Sequence, residues 1–212
     1  GFFRIRPESP LPLITDDGTV IEVGPDQSGL VIIDGSNLNE GVGLPIQADG
    51  GIFGLTIENF PTAGILVEND VEIAIGRPGN GNLLRNNGPA NIRLFPGIQT
   101  LSGFISNNTI LGSEAGIAAG PGNYALTIGG SDQSAANTII NHQTGIRLTG
   151  ARNISIFRNR IGTDISLRIP LGNAIGILAE GGSSEIAIGN IINGSNTLAF
   201  NQTAVQISGS DT

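Results

Sequence analysis

Short apolar phrases recur along this chain at a nearly constant interval. Gly64-Ile-Leu-Val, Asn91-Ile-Arg-Leu, Gly116-Ile-Ala-Ala, Gly145-Ile-Arg-Leu, Gly176-Ile-Leu-Ala and Ala204-Val-Gln-Ile begin 27, 25, 29, 31 and 28 residues apart. That period, about 28 on average, lies in the range of solenoid repeats. A second set, Ile73-Ala-Ile-Gly, Leu126-Thr-Ile-Gly, Ile154-Ser-Ile-Phe and Ile186-Ala-Ile-Gly, alternates in the manner of a strand with one face in and one face out. A third follows and usually carries asparagine: Asn82-Leu-Leu, Asn107-Asn-Thr-Ile, Asn137-Thr-Ile-Ile-Asn and Asn196-Thr-Leu-Ala-Phe-Asn. Each repeat therefore holds about three strands of about three to five residues, separated by Gly, Asn and Ser, which adopt left-handed turn conformations at low cost.

An interval this short leaves no room for helices between strands, and it predicts a parallel β-solenoid, an all-β coil of about seven rungs with three short strands per rung. Successive rungs pair at ~4.8 Å, giving ~34 Å of axis. Inward Ile, Leu, Val and Ala stack rung upon rung, and Asn59, Asn107, Asn141, Asn159 and Asn201 are candidates for amide ladders at the turns. Two less regular rungs, through Leu30-Val-Ile-Ile and Phe53-Gly-Leu-Thr-Ile, precede Gly64. The chain reads as one domain over 1–212, with the Pro- and Asp-rich 1–45 as an irregular lead-in and first rung and 46–212 as regular rungs. A β-sandwich would show longer hairpin strands without a multi-strand period, and a TIM-type barrel would need amphipathic helices between strands.

Composition narrows the chemistry. The absence of Cys removes disulfides, thiolate metal sites and cysteine nucleophiles, and a single His removes a His-rich zinc site. No uninterrupted apolar run reaches the ~18–20 residues of a membrane helix, so membrane insertion is not expected. The net charge of -8 is unevenly spread: residues 1–72 hold twelve of the eighteen acids but only two of the ten basic residues, all of which are arginine. Arg147, Arg152, Arg158, Arg160 and Arg168 follow one another with Asp164 alone among them, and are candidates for an anionic partner, an acidic glycan or the acidic face of a protein. Nucleic acid is not expected from an acidic chain with one Tyr, no Trp and no nucleic-acid motif.

The phrases Ile5-Arg-Pro-Glu-Ser-Pro-Leu-Pro-Leu-Ile-Thr-Asp, Ile33-Asp-Gly-Ser, Gly54-Leu-Thr-Ile, Asn159-Arg-Ile-Gly-Thr-Asp, Leu171-Gly-Asn and Gly181-Gly-Ser-Ser-Glu-Ile-Ala-Ile-Gly resemble the right-handed parallel β-helix repeat region of large bacterial secreted and cell-surface proteins. The resemblance covers most of the chain and implies a right-handed coil and an extracellular or cell-surface setting. It is weakest between about Arg77 and Gly130, where the Asn-x-Ile-Gly-Thr-Asp phrase is missing.

Right-handed β-helices often host polysaccharide lyases and hydrolases, which need a strong base beside Ca²⁺-binding carboxylates or an acid and a base across the bond. The best local candidate is Asp164 beside Arg158 and Arg160, yet its run matches the structural turn of the repeat, and a structural role is the better reading. His142, after Ile139-Ile-Asn, reads as a solvated turn residue lacking a nucleophile or partner nearby. Asp16-Asp17-Gly18 and Glu68-Asn-Asp70-Val-Glu72 lack calcium-loop spacing and read as turn acids, and Gly76-Arg-Pro-Gly-Asn-Gly lacks the lysine and helix of a phosphate loop. Asn107, Asn153, Asn193 and Asn201 lie in Asn-x-Ser/Thr triplets that permit glycosylation without indicating it. No catalytic residue, cofactor or metal is assigned.

The ends carry more than any motif. Gly1-Phe-Phe-Arg-Ile-Arg-Pro alternates like a strand and presents two phenylalanines, and Thr203–Thr212 opens a new rung without a recognisable cap. Phe2, Phe3, Ile5, Val205 and Ile207 are therefore the candidate assembly residues. With an acidic front and a basic back, the expectation is a non-enzymatic extracellular structural protein that self-associates head to tail into a filament, sheath or stalk. A segment of a longer surface adhesin and a polysaccharide-binding or polysaccharide-cleaving module are the alternatives.

Overall fold

A computed structural model describes residues 1–189 and 194–209; the triplet at Asn193 and residues 210–212 of the Thr203–Thr212 phrase lie outside them. The described residues form 22 strands and two single-turn 3-10 helices, Pro25–Gln27 and Gln133–Ala135, with no α-helix among them. The strands pair in parallel into three sheets of eight, seven and seven strands, which the chain visits in turn for about seven turns of about 28 residues. Sheet I runs from Phe3–Ile5 to Thr197–Leu198, sheet II from Val42–Ile46 to Thr203–Ile207, and sheet III from Thr19–Glu22 to Ser184–Ile188.

The three sets of phrases are the three sheets. In sheet II, Ile65, Ile92, Ile117, Ile146, Ile177 and Val205 are successive register partners. Ile75, Ile105, Ile128, Ile156 and Ile188 do the same in sheet III, and Leu84, Ile110, Ile139, Ile161 and Leu198 in sheet I. These rows converge on one continuous core, each fully buried Ile or Leu contributing about 1.5–3 kcal/mol of transfer free energy. Strand Leu101–Ile105 breaks the phrase, because Gly103 stands in the row between Ile73 and Leu126. Its φ is +118°, and a Cβ there would lie 2.0 Å from the Ile73 carbonyl oxygen.

Residues 1–45 are already coiled. Phe3–Ile5, Thr19–Glu22 and Val31–Asp34 belong to sheets I and III, and Ile14 bridges to Ile46 in the sheet II position, so the first rung begins at Phe3.

A turn N–H buried at a corner needs an acceptor from the adjacent rung. Where sheet III turns into sheet I, that acceptor is a row of asparagines. Asn82, Asn108, Asn137, Asn159 and Asn196 each receive, on Oδ1, the backbone N–H of the corner residue one rung earlier, at 2.9–3.3 Å. Each Nδ2 donates at 2.7–2.9 Å to a carbonyl at the end of a sheet III strand, Ile52, Ile75, Ile105, Ile128 and Ile156 in order. A second row occupies the corner between sheets I and II. There Phe60, Asn87, Ser113, His142 and Asn173 donate their N–H groups in turn to the side chains of Asn87, Ser113, His142, Asn173 and Asn201. Glycines of sheet II lie against this row: a Cβ on Gly116 would meet His142 Nε2 at 3.0 Å and the Gly145 carbonyl oxygen at 2.6 Å.

Of the five asparagines expected in ladders, Asn159 and Asn201 are there. Asn59, Asn107 and Asn141 are not, because they occupy the left-handed turn position beside the ladder, with φ of 61°, 58° and 58°. The two roles differ by one or two residues along the chain.

Asn137 is fully buried, so Asn137→Leu would strand the Asn108 N–H and the Ile105 carbonyl. We expect a loss of about 2–6 kcal/mol, from about 1–3 kcal/mol for each of the two buried unsatisfied groups, read as a lowered urea midpoint. The turn substitution Asn107→Gly, which keeps the left-handed φ and gives up only the exposed Nδ2 bond to the Arg77 carbonyl, should cost no more than about 1 kcal/mol.

Candidate functional site

The first strand is anchored by charge. Asp34, Glu58 and Arg85 are register partners on the outer row of sheet I, and the two carboxylates are 2% and 3% exposed. Arg4 bonds to Asp34 at 2.5 Å and also to Glu58, Arg6 reaches Asp34 at 3.1 Å, and Arg85 reaches Glu58 at 2.6 Å. Burial alone would raise the Asp34 carboxyl pKa, but bonds from Asn59, Arg4, the Ser36 N–H and Arg6 outweigh it and hold the group well below the usual carboxylate range. A buried carboxylate stripped of its partners is costly. The cluster thus ties Phe3–Ile5 to the next two rungs, although Phe3 is 73% exposed and Phe2 and Ile5 are also exposed. Sequence reasoning missed this cluster; the signal was Asp34, Glu58 and Arg85 recurring at the repeat interval directly after inward Ile33, Ile57 and Leu84.

At the other end, Thr203–Ile207 is the outermost described strand of sheet II, paired on one side only with Ile175–Glu180. Val205 and Ile207 continue the inward rows of Ile177 and Ala179, and Ile207 is 74% exposed. The five apolar candidates therefore fall into two groups, one at each end of the coil.

The five arginines, successive basic residues over 147–168, are dispersed over three sides. Arg147 projects from sheet II and pairs with Glu114 at 3.1 Å, Arg152 lies exposed on sheet III, and Arg160 lies in sheet I between Thr138 and Thr197. Arg158 holds a turn position at φ 54°, and Arg168 is exposed in the 164–170 loop. Asp164 caps that loop, accepting from the Ser166 hydroxyl at 2.8 Å, and this bond foremost lowers its pKa.

Much of the acidic front serves the corner between sheets II and III. Asp17 accepts the Asp49 N–H, Asp49 the Glu72 N–H and Asp70 the Gln99 N–H, while Glu68 takes the Gln47 amide; at the corner between sheets III and I, Glu22 pairs with Arg77. The Gly76–Gly81 phrase is a turn closed by the Arg77–Asn80 bridge. At Asn201, one of the triplets, the side-chain amide donates to the Ile161 carbonyl, so a glycan there would break the ladder.

His142 is not solvated. It is 5% exposed, because its ring fills a ladder position otherwise held by Asn or Ser. Nδ1 stands 3.1 Å from the Ser113 N–H and 3.0 Å from the Ser113 carbonyl oxygen, and Nε2 3.2 Å from the Ile110 carbonyl oxygen; in the tautomer protonated on Nε2, the ring accepts from the Ser113 N–H and donates to Ile110. The imidazole thus reproduces both functions of an asparagine amide. Burial lowers its pKa, and the contacts with the Ser113 and Ile110 carbonyls oppose that only in part. An open groove of about 830 Å³ lies over this corner, with Glu114, Gln143, Gln202 and Phe200 among its lining residues.

Fold and ladders define the chain as a parallel β-solenoid. Beyond that class, no protein-family model matches the sequence and no curated protein matches it.

Because the folded state disfavours the imidazolium, stability is full above the unfolded pKa of about 6.5 and falls as pH drops below it. We expect the urea midpoint to fall between pH 7.5 and 5, and His142→Asn to remove that part of the slope while keeping the neutral-pH midpoint. His142→Leu, with no acceptor for the Ser113 N–H, should lose about 1–3 kcal/mol at both pH values.

Proposed function

We infer that the protein is a non-enzymatic structural β-solenoid whose copies stack head to tail, extending the coil into a filament, sheath or stalk. The observation that supports this reading is that, among the described residues, the outermost strands Phe3–Ile5 and Thr203–Ile207 each pair on one side only and expose inward-row apolar side chains. Such edges are templates for strand addition. A second copy fits the register. The partner's Ile5 would continue the row that ends at Leu198, and the partner's Ile14 the row that ends at Ile207. Net charge favours the same contact, since the N-terminal rungs are acidic while residues 144–209 carry five arginines against three acids. The interface joins unlike surfaces, so it propagates. A right-handed coil and an extracellular or cell-surface setting follow from the resemblance to bacterial secreted repeat regions.

Ile5→Asp and Ile207→Asp each block one end while sparing the Arg4 cluster and the described corner ladders. The wild-type chain should form salt-sensitive filaments under negative-stain microscopy, each variant should stay monomeric alone, and an equimolar mixture should stop at dimers. Monodisperse wild-type monomers at high concentration would overturn the reading and favour a coil continued within a longer polypeptide.

A further inference from the structure

On the flank of the coil, away from the outermost described strands, the outer face of sheet III carries a groove whose aromatic floor neither the core nor the corners require. Its floor is Phe104, 41% exposed, standing in an outward row between Ala74 and Thr127. Two cavities meet over this ring, one of about 460 Å³ and one of about 240 Å³, both lined by Gly103 and Phe104. The larger arises because two corner segments, around Pro78 and at 130–135, project from the rungs before and after, whereas the rung of Phe104 turns tightly through Ser106 to Asn108. The smaller continues the floor across Ala74 to Asp49 and Glu72. Together they reach from strand Gly50–Phe53 to strand Ala151–Phe157, four inter-strand steps or about 19 Å.

The chemistry of this surface is specific. An exposed aromatic face lies at the centre, flanked by small residues that leave it uncovered. Hydroxyls of Thr127 and Ser131 and the carboxylates of Asp132, Asp49 and Glu72 stand around it. Asp132 and Asp49 each engage Oδ1 within the chain, with Ser134 and the Glu72 N–H, and Arg158 acts on Asp132, but no arginine lines either cavity and the acids outnumber that one. An apolar ligand would gain nothing from the carboxylates, and an anionic polymer would be repelled by them. A sugar ring satisfies both parts, laying its C–H face on the phenyl ring and donating its hydroxyls to the carboxylates. A groove of this length accepts several units rather than one. We propose that the sheet III groove around Phe104 binds a neutral oligosaccharide chain. Stacked and single copies present it alike, so it does not depend on the assembly reading.

The test titrates the 212-residue chain with tetra- to hexasaccharides of the cello-, xylo- and manno- series, and with oligogalacturonate as the anionic control, by calorimetry and amide NMR. At least one neutral series should bind, shifting the amides of Gly103, Phe104 and Thr127. Phe104→Ala should weaken binding at least about tenfold. Thr127→Trp, which fills the groove from the adjacent strand, should abolish it. Both positions face outward, so unchanged urea midpoints serve as the folding control, and the wild-type amide map stands without either variant. The proposal is overturned by no neutral binding at about 10 mM ligand, by shifts mapping elsewhere, by equal affinity in both variants, or by preference for the uronate.

Discussion

Every rung of this coil must find, on an adjacent rung, an acceptor for the N–H groups buried at its corners, and the rest of the structure follows from that requirement. Strand ladders satisfy the backbone groups inside the sheets, but at a corner the chain turns away from the ladder while its N–H groups remain buried. Leaving one unpaired costs about 1–3 kcal/mol, a large part of the few kcal/mol of a domain's net stability. The solution is a side-chain acceptor one rung ahead, repeated. At the corner between sheets III and I it is asparagine throughout the described run from Asn82 to Asn196, whose amide both accepts the turn N–H and donates to the carbonyl ending the preceding strand. Between sheets I and II the requirement is looser, and serine and histidine also meet it.

The same requirement accounts for much of the charge asymmetry. Early in the chain, the corner between sheets II and III uses aspartates, at Asp17, Asp49 and Asp70, where the other two corners use amides. Asp34 and Glu58 answer a different need, holding the first strand through Arg4, Arg6 and Arg85. What looks in sequence like an acidic tract is thus largely spent on structure, and the arginines that look clustered are separated by the coil, since residues a few positions apart fall on different sheets. The charge left over, summed by end rather than by local tract, is the part available to act between molecules.

The fold was legible because stacking imposes a period on the inward rows, and Ile65 through Val205 keep it without a gap. Ladders were legible in kind but not in place: Asn107 and Asn108 are neighbours of one type, one supplying a left-handed φ and the other the acceptor, and no sequence pattern distinguishes them without the register. His142 was misread for a related reason. A polar residue at a turn is normally solvated, and its burial here comes from glycines one strand over, notably Gly116, which leave room for the ring. The Arg4 cluster and the Phe104 groove were hidden because both join residues from several rungs, so their members lie far apart in the chain.

Alternation along each strand divides the labour of the molecule. Inward rows and corners are fixed by packing and hydrogen bonding, and a substitution there meets a backbone atom or strands a buried group, as at Gly103 and Asn137. Apart from the cluster around Asp34 and Glu58, outward rows meet mainly solvent and their register partners, so they are freer to vary. Against that background, a large aromatic ring held outward between alanine and threonine is informative, because nothing in the coil needs it: burying Phe104 would have been favourable, and exposing it brings the fold no gain. The outermost described rungs differ in kind, since any solenoid presents its inward apolar rows on whichever rung is not covered by another. End surfaces are therefore a consequence of the architecture, whereas the flank groove is a departure from it, and the two call for separate physical explanations.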